Sequence, residues 1–296
     1  MFSKKPALIA GGLTILLLTA GGLGLLYANR PQAPAHVYND PAELTIEVTP
    51  YLDPAHLIKA WTPLLNYLSV QTGRPVHLRI APTFEAVPTD LSLSHDPMAY
   101  GSVLTYIQAH HAAGYVPIVG DSFPNYGLVV VRADSPLQTT QDASVLRGKK
   151  IAIPSRSASP YLFARGWALT HGGVNLETDT QIQAVKGLDA VIAAVLSGSA
   201  DAGIGFPAHF FALEPGVKSR LRIIAQTDIY PQPPIMIDAN LSPTLVSKMR
   251  HALLAPDRID ERDAAIAGFG WKGVLETGDK DFDPVRALAV RLGLPY

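Results

Sequence analysis

An α/β fold is predicted by three observations along the chain. Apolar strands alternate with amphipathic helices, and the helices carry their own start and stop residues. Of the 296 residues, 48% are hydrophobic and 17% charged, enough to bury one large domain or two modest lobes. The 25 prolines and 24 glycines are spread along the chain, which reads as many turns rather than disorder.

The first strand is "LTIEVTPY" at 44–51, where Leu44, Ile46 and Val48 alternate as a half-buried strand requires. A helix comes next in "DPAHLIKAWTPLLNYLSVQTG", with Leu57, Trp61, Leu64, Leu65 and Leu68 on one face. Asp53 and Pro54 open it and Gly73 closes it. "VHLRIA" at 76–81 is a second strand, "YGLVVVRAD" at 126–134 an apolar one, and "KKIAIP" at 149–154 another. A helix begins at Pro160. "LDAVIAAVLSG" at 188–198 is a short helix ended by glycine, and "ADAGIGF" and "LRIIAQT" supply further strands. "SPTLVSKMRHALL" and "DPVRALAVRLG" are late helices, each opened by Ser or Asp before proline. The alternation predicts mostly parallel sheets.

The N-terminus carries a different signal. Lys4 and Lys5 precede a run without charge from Pro6 to Asn29. As a helix, that run rises about 1.5 Å per residue and spans a hydrocarbon core of about 30 Å. The lysines hold its start in the cytoplasm, so the rest of the chain is exported. The run exceeds the usual apolar core of a signal peptide, and "APA" at 33–35 makes a poor cleavage site because of its proline. Residues 1–30 are therefore read as a transmembrane anchor in preference to a cleaved signal, and 31–43 as a Pro-rich linker.

Composition excludes several functions. The net charge is −1, without the basic excess of a nucleic-acid binder. The absence of cysteine removes disulfides, thiolate metal sites and a cysteine nucleophile. His110 and His111 are adjacent, so on a helix they point apart and make no metal pair. "GDSF" at 120–123 resembles the nucleophile block of GDS-type esterases. Such an enzyme places that block early and its D-x-x-H late, whereas "DPAH" at 53–56 comes first here. No cofactor motif is present.

The densest polar cluster is "PSRSASP" at 154–160. Ser155, Ser157 and Ser159 alternate ahead of the Pro160 helix. Ser159 with Pro160 reads as an N-cap and first-turn pair, but capping explains one serine and not three. A helix start presents free N–H groups and the positive end of a dipole, which attract a tetrahedral oxyanion, and serine hydroxyls add donors without bulk. Arg156 lies between them, where alternation turns it towards solvent. Tyr51 ends the first strand, at the edge from which open α/β sheets bind ligands, as a donor or as rim.

With these segments in place, the chain resembles the type II periplasmic solute-binding proteins, in the phosphonate/phosphite/phosphate-binding (PhnD-like) branch. The likeness is carried by "AWTPLLNYLSVQTGRPVHL", "DPMAYGSVLTYIQAHHAAGYVPI", "VVVRADSPLQTTQDASVLRGKKIAIP", "SASPYLFAR", "LDAVIAAVLSGSADAGIG" and "LRIIAQTDIYPQPPIMI", in that order. It implies two α/β lobes joined by two crossovers: 44–131 with 233–296 as lobe one, and 132–232 as lobe two. The ligand sits in the cleft between them. Tyr106 matches the family tyrosine that donates to the anion, and "SASP" matches its hydroxyl cradle. Asp189 either complements its own helix dipole or accepts from a protonated ligand oxygen. Asp201 falls in a phrase the family uses as scaffold.

The departures bear on the ligand. Ala158 and Pro160 stand where many members have threonine and glycine, and Leu188 stands where the family has histidine. Lys186 is placed to replace that histidine, or is a plain surface lysine. The resemblance implies a binding protein for phosphonate, phosphite or phosphate that closes by a hinge and serves an ABC-type transporter permease. It needs no cofactor and sits outside the cytoplasmic membrane on its tether. A membrane-anchored sensor domain with a separate signalling partner is the alternative, and a serine hydrolase is the third reading.

Overall fold

A computed structural model describes residues 40–138 and 140–296. The N-terminal anchor and most of the linker lie outside the described residues. Among the described residues, no helix is long and apolar enough to cross a membrane.

The first sheet is built from β1 (Leu44–Val48), β2 (Val76–Ile80), β3 (Met98–Tyr100), β4 (Val116–Asp121), β10 (Ile235–Ile237) and β11 (Val274–Glu276). Its order is β11-β4-β10-β3-β1-β2. Helix α1 (Pro54–Thr72) lies on one face and buries Leu57, Trp61, Leu64 and Leu68 against Leu44, Ile46 and Val48, the residues the sequence pattern selects. The Asp53 carboxylate accepts from the amides of Ala55 and His56 at 3.1 and 3.2 Å, satisfying two donors the helix cannot. On the other face, α2 (Val87–Ser94) and α3 (Val103–Ala113) pack with Tyr106, Tyr115 and Met236. So β1 is covered on both sides and is not half-buried as alternation suggested. Glu47 on its second face is fully buried and paired with Arg79 at 2.8 Å.

The second sheet, in the order β7-β6-β8-β5-β9, contains β5 (Leu128–Arg132), β6 (Lys150–Ile153), β7 (Gln181–Ala184), β8 (Ala202–Gly205) and β9 (Leu221–Gln226). Helix α4 (Ser159–Thr170) covers it with Tyr161, Ala164, Trp167 and Ala168. Helix α5 (Leu188–Ser197) lies among Val191, Ala194, Val195 and the neighbouring strands.

Both sheets are mixed rather than mostly parallel. The parallel pairs are β1 with β2 and β3, and β6 with β7 and β8. Strand β5 runs antiparallel to β8 and β9, and β10 antiparallel to β3 and β4. The reason is topological. A strand arriving from the other lobe enters at the carboxyl edge of the parallel strands and must run against them. Because β5 pairs wholly within the second sheet, the chain has crossed by Leu128, a few residues before the boundary drawn at 131.

The two crossings are bonded to each other. Tyr230 N donates to Asn125 O at 2.8 Å, Asn125 Nδ2 to Pro231 O at 2.7 Å, and Thr227 N to Gly127 O at 3.0 Å. Gly127 is required by a close approach: a Cβ there would lie 2.8 Å from the Pro160 carbonyl oxygen. The late helices α6 (Pro243–Leu254), α7 (Ile259–Ile266) and α8 (Asp283–Arg291) return to the first lobe, but α8 also reaches the second. Leu288 packs so near α4 that a Cβ on Gly166 would lie 2.5 Å from it.

Candidate functional site

The site forms where the two carboxyl edges meet. From the second sheet, β6 runs into Ser155, Ser157 and the start of α4. Ser155 and Ser159 are buried and Ser157 is half-buried. The cap differs from the sequence expectation. The helix begins at Ser159, and its N-cap is Ala158, whose carbonyl accepts from Tyr161 and Leu162 N–H at 3.1 Å. With the cap position taken by a residue without a side-chain acceptor, the Ser159 hydroxyl turns outward. It accepts from Val103 N at 3.1 Å, the first amide of α3 in the opposite lobe. Two helix starts, one per lobe, thus converge on one hydroxyl. Ser102 caps α3, accepting from Thr105 N at 3.0 Å.

A residue not singled out in the sequence completes the junction. Glu85, in the loop between β2 and α2, accepts from the Ser155 hydroxyl at 2.6 Å across the cleft. The Ser157 amide also donates to Ser155 Oγ at 3.0 Å. Burial alone would raise the Glu85 carboxyl. Hydrogen bonds from Ser155 and Ser157 more than offset it and hold Glu85 below the usual carboxylate range. The signal that points to it is positional: the loop leaves the carboxyl end of a strand, the edge where α/β sheets bind.

Tyr51 stands at the same edge. Its hydroxyl accepts from Trp61 Nε1 at 3.0 Å. Its ring meets Tyr100 edge-on at 5.9 Å, and Tyr100 lies 5.1 Å from Trp61 and 6.0 Å from Trp271. Burial pushes both phenols up, Tyr100 to about 12, so both stay neutral donors. The backbone carbonyl of Tyr51 approaches Gly187 in the second lobe, where a Cβ would lie 3.6 Å from it. Gly187 carries φ 88° and ψ 172°, a combination open to glycine alone, and it turns the chain into α5.

The other expected residues are placed apart from the serines. Tyr106 is fully buried under α8, its ring centroid 4.3 Å from that of Phe282, and donates to Asp279 Oδ1 at 2.6 Å. Burial would raise the Asp279 carboxyl, yet Tyr106 and Arg286 donate to it and keep it below the usual range. Asp189 is exposed, 3.4 Å from His209 Nε2. Lys186 is exposed beside Gly187. Leu188 is buried against a small apolar pocket shared with Val191, Phe206 and His209. Arg156 points outward to Glu177 at 3.1 Å, and Asp201 accepts from Lys150 N at 2.8 Å, a bond within the second-sheet framework. Among the described residues no three potential metal ligands converge.

The two lobes touch through Ser155–Glu85 and Ser159–Val103, and the two crossings between them are hydrogen-bonded to each other. The carboxylate that meets this serine cluster, Glu85, is held below its usual range by the hydroxyl it accepts from. Two α/β lobes joined by paired crossovers are the architecture of the two-lobe solute-binding proteins. Within that class, a family described as "ABC transporter, phosphonate, periplasmic substrate-binding protein" matches residues 46–282, and the chain belongs to it. It is a periplasmic substrate-binding protein for transport and not an enzyme.

The chain is 22% identical over 269 residues to the phosphonates-binding periplasmic protein of Escherichia coli (strain K12), covering 87% of this chain and 79% of that one. Its fold is similar to PhnD1 from Prochlorococcus marinus (MIT 9301), solved in complex with methylphosphonate. The TM-score is 0.77 at 16% identity, over 86% of this chain and 99% of that one. It is also similar to the alkanesulfonate-binding protein SsuA from Xanthomonas axonopodis pv. citri, bound to MOPS. There the TM-score is 0.61 at 16% identity, over 87% and 96% of the two chains.

Proposed function

We propose that the protein captures a small phosphorus oxyanion, a phosphonate, phosphite or phosphate, between Ser155, Ser157 and the facing starts of α3 and α4, and hands it to an ABC-type permease. The observation that carries this reading is the hydrogen bond joining the two helix starts through Ser159. Each helix start brings the positive end of a dipole to the junction beside Ser155 and Ser157, which supports an anion there. Tyr51 adds a neutral donor from the first lobe. Closure follows from the bonded crossings, which let one lobe rotate on the other as donors from both meet the ligand. The apolar run near the N-terminus tethers the domain to the cytoplasmic membrane, close to its permease.

The test is a thermal melt of the full-length protein with phosphate, phosphite, methylphosphonate, aminoethylphosphonate, sulfate and taurine in turn. A true ligand at a hundred times its Kd adds about 2.7 kcal/mol of stability and raises the Tm by several degrees. The shift should vanish when Ser155 and Ser157 are both replaced by alanine. Absence of a shift with every phosphorus oxyanion would reject the ligand class.

A further inference from the structure

We propose that Glu85 is a built-in competitor: its carboxylate takes the serine cradle of the opposite lobe, and an oxyanion entering there must displace it. This competition presupposes that the cradle is the oxyanion site.

Three observations support it. The first is chemical identity. The Glu85 carboxylate accepts the Ser155 hydroxyl proton at 2.6 Å, so it uses a donor that a phosphonate oxygen needs, and Ser157 also donates to it. A carboxylate and a phosphonate side by side in this cradle would be two like charges sharing one set of donors, an arrangement in which one must leave or take up a proton. The second is that the contact spans the cleft. Glu85 belongs to the loop after β2, and Ser155 follows β6, so the bond fastens one lobe to the other. The third is room to depart. Glu85 lines an open groove of about 500 Å³ with Thr89, Ser92, His111 and Tyr296, into which its side chain can swing. The backbone stays put, because Phe84 and Val87 on either side are buried.

The device works as an affinity threshold. A ligand pays the cost of unlatching in proportion to the fraction of molecules latched, so apparent affinity falls by that factor. Every anion loses the same factor, so those held weakly fall below useful affinity while those held tightly remain bound.

The experiment is calorimetric titration of the full-length wild type, Glu85→Gln and Glu85→Ala with methylphosphonate and inorganic phosphate at pH 7.5. A latch closed in about nine molecules of ten makes at least one of these anions bind about tenfold tighter to both variants. Binding by the variants and not by the wild type supports the latch equally. Clear wild-type binding that is unchanged or weaker in the variants overturns the latch and leaves the oxyanion reading standing. No binding of either anion by any of the three overturns the latch, and the oxyanion reading falls with it only if phosphite and aminoethylphosphonate also give no shift in the melts. Glu85 is solvent-exposed, so a melt of each variant within a few degrees of wild type establishes that the comparison is between folded proteins.

Discussion

Replacing Tyr106 by phenylalanine separates two roles for one hydroxyl. The family resemblance assigns it to the anion, whereas the structure bonds it to Asp279 at 2.6 Å. Removing the oxygen leaves the ring against Phe282, with centroids 4.3 Å apart, so no cavity opens and the loss is confined to the hydrogen bond. A bond to a charged acceptor contributes about 1.5–3 kcal/mol. Asp279 is 40% exposed and keeps Arg286 as a partner, which lowers the expectation to about 1–2 kcal/mol. For a domain of this size that is a fall in Tm of about 2–8 °C at pH 7. Because the folded-state pKa of Asp279 is depressed, the stabilisation is present above the ordinary carboxylate range and is lost as pH falls through the folded value. The gap between wild type and variant should therefore close in acid. Thermal denaturation across pH measures it, and titration with methylphosphonate gives the second readout, which should not change. A tenfold loss of affinity with an unaltered Tm would refute the reasoning and return the hydroxyl to the ligand.

Gly127→Ala drives a Cβ to 2.8 Å from the Pro160 carbonyl, so the start of α4 must shift. It should destabilise by about 1–3 kcal/mol in urea unfolding and weaken whatever ligand the melts identify. Gly187→Ala places a side chain at φ 88°, ψ 172° and should lower stability by about 1–3 kcal/mol, measurable in the same assay. Glu47 is pushed up to about 7 by burial, with Arg79 opposing. The folded state then keeps a proton that the unfolded chain releases at lower pH, so stability falls as pH rises from about 4.5 to 7, by about 2–4 kcal/mol. Glu47→Gln should flatten that profile in urea unfolding at pH 5 and pH 8, and a profile that stays steep would place the titration elsewhere.

What the sequence made legible was local. Asp53, Pro54 and Gly73 bound the first helix because capping is decided within one turn, and Leu57, Trp61, Leu64 and Leu68 mark its inner face by period alone. The three serines are likewise readable, since hydroxyls crowded before a helix start are a local pattern. What escaped depends on contacts distant in sequence. The double-sided burial of β1 needs α2 and α3 to arrive on its far face, and the antiparallel crossings need the second lobe to exist. The Ser159 cap expectation failed because the helix starts one residue earlier, with Ala158 as its N-cap, and the Ser159 hydroxyl meets Val103, more than fifty residues away. Glu85 was missed for the same reason: nothing nearby distinguishes its carboxylate from a solvated one, and its partner lies on another sheet. Tyr106 matched the family by alignment, but its orientation is decided by Asp279 and Phe282 near the C-terminus.

Helix α4 has two duties that pull on each other. Its first turn meets α3 of the other lobe through Ser159, while Gly166 in its middle is the seat for Leu288 of α8, and Gly127 of the hinge rests on Pro160 at its tip. A mutation that reshapes the start of α4 therefore also disturbs the crossings between the lobes. Retuning this protein for a different solute is consequently a mechanical problem as much as a chemical one. Variants with altered preference should reveal themselves first as altered rates of opening.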